Sequence, residues 1–264
     1  MKKNNKKNRQ SGQVLLLAVM LLATVLTISL TVTLRSTTET QITKLEEENQ
    51  KALAAAEAAI EKALQSKQQG SFAAIGLSDL SGINLSESSV DISNQQGNTF
   101  ITPLLQKDEQ YTFYLTSYNP QNKTLGTTST SQNIHICFGS SSSRPAIEIT
   151  LIKTNGIKKY AVNPQGNVII NNGSAASAPG TDCPDNTFTD RYSINSVDIG
   201  TNSQLLIVRV INGTTKIGFK ANSNFPLQGS TITSTAKSIG GVVKKVKLFQ
   251  SYPQIPADFF VTSF

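Results

Sequence analysis

The chain has a single histidine, His135, and only two cysteines, Cys137 and Cys183. Any Ser-His-Asp or Cys-His machine would have to run through His135, which alternates with Ile134, Ile136 and Phe138 in the manner of a packed strand residue. His135 and Cys137 form a His-x-Cys pair, but a structural zinc site normally needs four Cys or His ligands, so no metal is assigned. No Gly-rich phosphate loop and no HExxH helix is present. These absences predict a protein without a cofactor that is not an enzyme.

Glycine and proline are missing from residues 13–69, and residues 14–34, VLLLAVMLLATVLTISLTVTL, contain no charge. About 20 apolar residues at ~1.5 Å rise cross a bilayer core of ~30 Å, so 14–34 is long enough to span a membrane. A cleaved secretory signal has a shorter apolar region followed by a small-residue site, whereas this run continues into Leu34, Arg35, Ser36 and Thr37. Beyond the span, Ile42, Leu45, Ala52, Leu53, Ala56, Ile60 and Leu64 recur at helical spacing, with Glu46, Glu47, Glu48, Lys51, Glu57, Glu61 and Lys62 between them. One long helix over 13–69 is therefore expected, its distal part carrying a face made to be buried. Thr24, Thr27, Thr31 and Thr33, mixed with Val25, Ile28 and Val32, lower helix propensity by tenths of a kcal/mol each, which predicts a softer distal half of the span.

Net charge is +7, but Lys2, Lys3, Lys6, Lys7 and Arg9 crowd the first twelve residues; the remainder holds 19 basic against 17 acidic residues. A short terminal cluster beside an apolar run is not the basic face that nucleic acid needs, so no nucleic-acid partner is expected. The same cluster, with only Arg35 and Lys44 among several acids after the span, places the N-terminus in the cytoplasm and the body outside. In that oxidising compartment Cys137 and Cys183 are expected to form one disulfide.

From Gly70 to about Gly97, glycines interrupt a Ser-, Asn- and Gln-rich stretch that reads as a loop-rich connector, 70–98. The apolar period then changes to two, with candidate strands at 111–118, 134–138, 146–153, 157–162, 167–170, 204–211 and 216–220. Asn155-Gly156, Asn212-Gly213 and Gly240-Gly241 carry the turn chemistry of tight hairpins. Residues 171–192 read as a long loop tied at Cys183. Asn-x-Ser/Thr triplets such as Asn172-Gly173-Ser174 carry little weight in so Asn- and Ser-rich a chain. The expected fold is α+β: a cytoplasmic leader (1–12), a transmembrane and extended helix (13–69), the connector, and a mainly antiparallel β-rich extracytoplasmic domain over 99–264.

A basic leader, then Ser11-Gly12, then directly an apolar span that runs on into an Ala- and Glu-rich helix, resembles the class III signal of type IV pilins. Arg9-Gln10-Ser11-Gly12-Gln13-Val14-Leu15-Leu16 and the distal Ala55-Ala56-Glu57-Ala58-Ala59 are most similar to PilX-type minor pilins and to K-type pseudopilins of type II secretion. The resemblance covers roughly residues 9–65, with a weak extension to STITSTAK and the terminal FFVTSF. It implies cleavage by a prepilin peptidase between Gly12 and Gln13, methylation of the new N-terminus, and retention of the apolar helix. It further implies other pilin subunits and a pilus assembly platform as partners, in the cytoplasmic membrane and at the cell surface. Major pilins carry Glu at the fifth mature position, which is Leu17 here. Its absence suits a minor subunit; a pseudopilin, or an anchored surface protein outside any filament, are the alternatives.

Overall fold

The computed structural model describes residues 11–94, 96–127, 129, 131–166 and 176–255. The expected strand at 167–170, the Asn172-Gly173-Ser174 triplet, the terminal FFVTSF and most of the basic leader lie outside the described residues. In chain order the elements are α1 (Ser11–Ser66), β1 (Gly70–Ser71), β2 (Ser89–Ser93), β3 (Thr99–Ile101), β4 (Gln110–Tyr114), β5 (Tyr118–Asn119), β6 (Thr124–Leu125), β7 (Ile134–Phe138), β8 (Ile147–Lys153) and β9 (Gly156–Val162). They continue with β10 (Asp190–Ile194), α2 (Ser196–Ile199), β11 (Ser203–Val210), β12 (Gly218–Ala221), β13 (Gly229–Lys237) and β14 (Val243–Ser251). The chain is thus α+β, a long apolar N-terminal helix followed by antiparallel sheets. It divides into two compact units, Met1–Asp91 with Thr233–Val246, and Ile92–Ile232 with Lys247–Phe264.

In the first unit, α1 runs unbroken for 56 residues, about 84 Å at ~1.5 Å per residue. It stops at Ser66, short of residue 69, because Lys67 adopts a left-handed φ of 55° while its N–H still reaches the Ala63 carbonyl. Within the distal part, Ala52, Ala55, Ala56, Ala59, Ile60 and Ala63 are buried, as are Phe72, Ile75, Ile83, Val90 and Ala236 elsewhere in this unit. Strands β1, β2, β13 and β14 are neighbours in that order in one sheet. The Gly240-Gly241 hairpin forms as expected: Gly241 takes φ 92°, and the Ser238 N–H donates to the Val242 carbonyl at 2.8 Å. Ser238 also donates to the Glu48 carboxylate of α1 at 3.2 Å.

The second unit holds two four-stranded sheets, β10-β7-β12-β3 and β4-β11-β8-β9, antiparallel throughout. Their apolar faces share one core, in which Phe113 of β4 stacks on Phe219 of β12 at 4.1 Å and meets Phe225 edge-on at 4.8 Å. Strands β8 and β9 form the expected hairpin, with Lys153 opposite Gly156, so Thr154 and Asn155 make the turn. The expected Asn212-Gly213 hairpin does not form, because β11 and β12 belong to different sheets. The turn chemistry serves a sheet-to-sheet corner instead: Gly213 takes φ 82°, and the Asn212 side chain accepts from the Ala146 N–H at 2.6 Å. Three strands, β2, β3 and β10, lie in stretches without clear alternation; β10 starts inside the expected 171–192 loop.

Candidate functional site

Every large apolar side chain from Val14 to Leu34 is well exposed, between 57 and 71 %. The exposure surrounds the helix, as an anchor in lipid or a strand of a helical bundle requires, and α1 is long and apolar enough to cross a membrane. Its threonine hydroxyls are satisfied internally. Thr24 donates to the Leu21 carbonyl, Thr27 to Ala23, Thr31 to Thr27 and Thr33 to Ser29, at 2.7–2.9 Å. The pattern continues through Thr37, Thr38, Thr40 and Thr43. Such back-bonding lets threonine enter an apolar medium without an orphan donor, and it slightly weakens and bends the helix.

Gly12 and Gln13 fall in the first turn of α1, which starts at Ser11. Leu17 lies one to two turns further on, 62 % exposed. A carboxylate there would face whatever surrounds the helix, so the apolar residue avoids the cost of an unpaired charge in lipid. Past the span, Arg35 pairs with Glu39 at 3.0 Å and Lys51 with Glu47 at 2.6 Å, each one turn apart. The Lys51 hydrogen bond holds the Glu47 carboxyl below its usual range.

In the second unit Cys137 and Cys183 are joined in a disulfide with Cα atoms 5.8 Å apart. The bond is buried beside Phe188 and ties the 176–189 segment to β7. On the far side of the same loop Asp190 is almost fully buried and receives a forked pair of bonds from Arg144. Those bonds raise the Arg144 guanidinium further above its usual range. Arg191 pairs with Asp182. His135 sits half-buried on β7, with Nδ1 2.7 Å from the Ser193 hydroxyl of β10. Burial, then the charges of Arg191 and Lys220, push its pKa down. It is a strand residue in a neutral polar pair. Among the described residues no cluster of three or more His, Cys, Asp or Glu could hold a metal ion.

Sequence reasoning missed the Arg144–Asp190 pair and two glutamines, Gln228 and Gln254, whose amides bind the backbone of β4. No local pattern marks either, since the partners are 46, 114 and 142 residues apart. No family model, curated protein or solved structure matches the chain.

Proposed function

We propose that this chain is a minor structural subunit of a type IV pilus-like system, processed by a prepilin peptidase between Gly12 and Gln13 and assembled through its N-terminal helix. The observation that carries the reading is the continuity of α1: an all-round apolar segment with self-satisfied threonine hydroxyls passes without a break into an Ala-rich segment buried in a folded unit. A tether needs only the span. A rod about 84 Å long that leads an apolar surface from lipid into a folded body also allows a subunit to exchange lipid for neighbouring helices, where small residues such as Ala18, Ala23 and Ser29 permit close approach.

In this reading Met1 to Gly12 is cytoplasmic and the chain beyond the span, from Arg35 on, is extracytoplasmic, which accords with the buried disulfide. Leu17 removes the carboxylate that would neutralise a neighbour's N-terminal amine, so the subunit serves at low copy or at a filament tip. The test is fractionation of the native host after mechanical shearing. The chain is expected in the sheared filament fraction, and a Gly12→Val variant, blocked in cleavage, is expected only in the membrane. Native chain found solely in the membrane fraction, alongside recovered filaments, contradicts filament assembly.

A further inference from the structure

We propose that the outer face of the β4-β11-β8-β9 sheet is the docking surface of this chain's own segment 256–264, PADFFVTSF, which crosses the strands and covers them. The register sorts the side chains of this sheet by face. Tyr111, Phe113, Leu206, Val208, Ile149 and Leu151 share one face and belong to the core of the second unit. The opposite face carries three lines of side chains running across the strands. The first is Tyr114, Leu205, Ile152 and Ile157; the middle one is Thr112, Ile207, Thr150 and Lys159; the third is Gln110, Arg209, Glu148 and Ala161.

The outer face of an antiparallel sheet is commonly polar and wet. This one is closed to water along its middle line. Thr112 is fully buried, Ile207 and Thr150 are each 3 % exposed, and Leu205 on the first line is 5 % exposed. Burial fades away from that line: Ile157, at the β9 edge, is 59 % exposed, and the Arg209 side chain of the third line is 34 % exposed. Water is therefore kept off a band that crosses β4, β11 and β8 at right angles to the strands.

The described residues reach one end of the band and stop there. The Ile255 N–H donates to the Thr112 hydroxyl at 3.1 Å, and the Tyr114 hydroxyl donates to the Pro253 carbonyl at 2.7 Å. Ile255 is thus held on β4, whereas Thr150 lies two strands further on, about 10 Å at ~4.8 Å per strand and out of reach of its side chain. Residues 256–264 follow. Extended, they reach about 30 Å, roughly twice the ~14 Å from β4 to β9. Phe259, Phe260, Val261 and Phe264 suit a face of Leu, Ile and Thr, and Asp258 is the one charged residue of the segment. The chain is delivered onto the band at Thr112, so its own segment needs no association step to cover it, as a second copy would.

The experiment uses the full chain in detergent micelles, compared with a chain cut back to Ile255 and with a Phe259→Asp/Phe260→Asp variant. Hydroxyl-radical footprinting read by fragment mass spectrometry reports side-chain exposure at Leu205 and Ile207. Leu206 and Val208, their neighbours on the core face, report that the fold is kept. Oxidation at Leu205 and Ile207 is expected to rise roughly tenfold in both variants, toward the level of bare Ile157, with Leu206 and Val208 unchanged. In the native chain protection is expected to persist on dilution. Where truncation also opens Leu206 and Val208, the Phe259→Asp/Phe260→Asp chain decides. Ile207 still protected in both variants, or labelling that rises equally on the two faces in both, overturns the proposal. Protection lost on dilution assigns the cover to a second copy, and a Val168→Ser/Ile169→Ser variant that bares Ile207 when the other two do not assigns it to 167–170; each also overturns it.

Discussion

Gly218 lies where a methyl group would meet the Phe188 ring at 2.7 Å and Pro184 at 3.1 Å, against the buried disulfide. Gly218→Ala is therefore expected to destabilise the second unit by about 1–3 kcal/mol through overpacking, read by thermal melting of the oxidised chain. His135 gives a pH signature. Burial lowers its folded pKa below the ordinary value, so its neutral form contributes stability that is fully present above the unfolded pKa. That contribution is lost as pH falls through the unfolded pKa and down to the folded one. Native protein should lose more stability between pH 7 and pH 5, about the ordinary His range, than a His135→Gln variant; equal slopes in denaturant titrations would contradict this. The cysteine pair was legible because two cysteines have only one way to pair. Gln228 and Gln254 were not, because a glutamine's role depends on a backbone partner more than a hundred residues away.

Helix α1 was legible almost to its end, since a stretch without Gly or Pro leaves no breaker. Its buried face was legible only in part: Ala52, Ala56 and Ile60 of the expected stripe are buried, together with Ala55, Ala59 and Ala63, whereas Ile42, Leu45 and Leu53 are exposed. Its stop at Ser66 depends on Lys67 adopting a left-handed φ, a local choice that composition does not announce. Ala56 is fully buried at the centre of the distal stripe. Ala56→Leu is expected to cost about 1–3 kcal/mol by overpacking and to leave the span unaffected, measured by proteolysis of the first unit. Through 24–33, threonine back-bonding weakens the ladder, so backbone amides there should exchange faster than those of 14–23 once the helix is in an assembly. Uniformly slow exchange over 14–34 would contradict the softening. Among the strands, β7, β8, β9 and β11 stand out by alternation or β-branched runs, whereas Asn212-Gly213 shows the limit of turn reading. The same dipeptide chemistry serves a corner between sheets when the flanking strands find different partners.

At the scale of the whole molecule, a long apolar helix is followed by antiparallel sheets, and a disulfide ties the second unit. The Cys137–Cys183 bond closes a loop with a sequence separation of 46. Its loss in a Cys137→Ser/Cys183→Ser variant should cost roughly 4 kcal/mol by chain entropy, seen as a lower midpoint for unfolding of the second unit with α1 helicity retained. The α+β order was legible in the switch of period from 3.6 to two. The sheet orders were not, since they depend on crossovers that no local pattern encodes. The central claim, that the apolar helix is freed by a cut and kept for assembly, is tested most directly by intact-mass and N-terminal peptide analysis of the native protein. A mature chain that begins at N-methylated Gln13 is the predicted result; a chain that retains Met1 to Gly12 would contradict it.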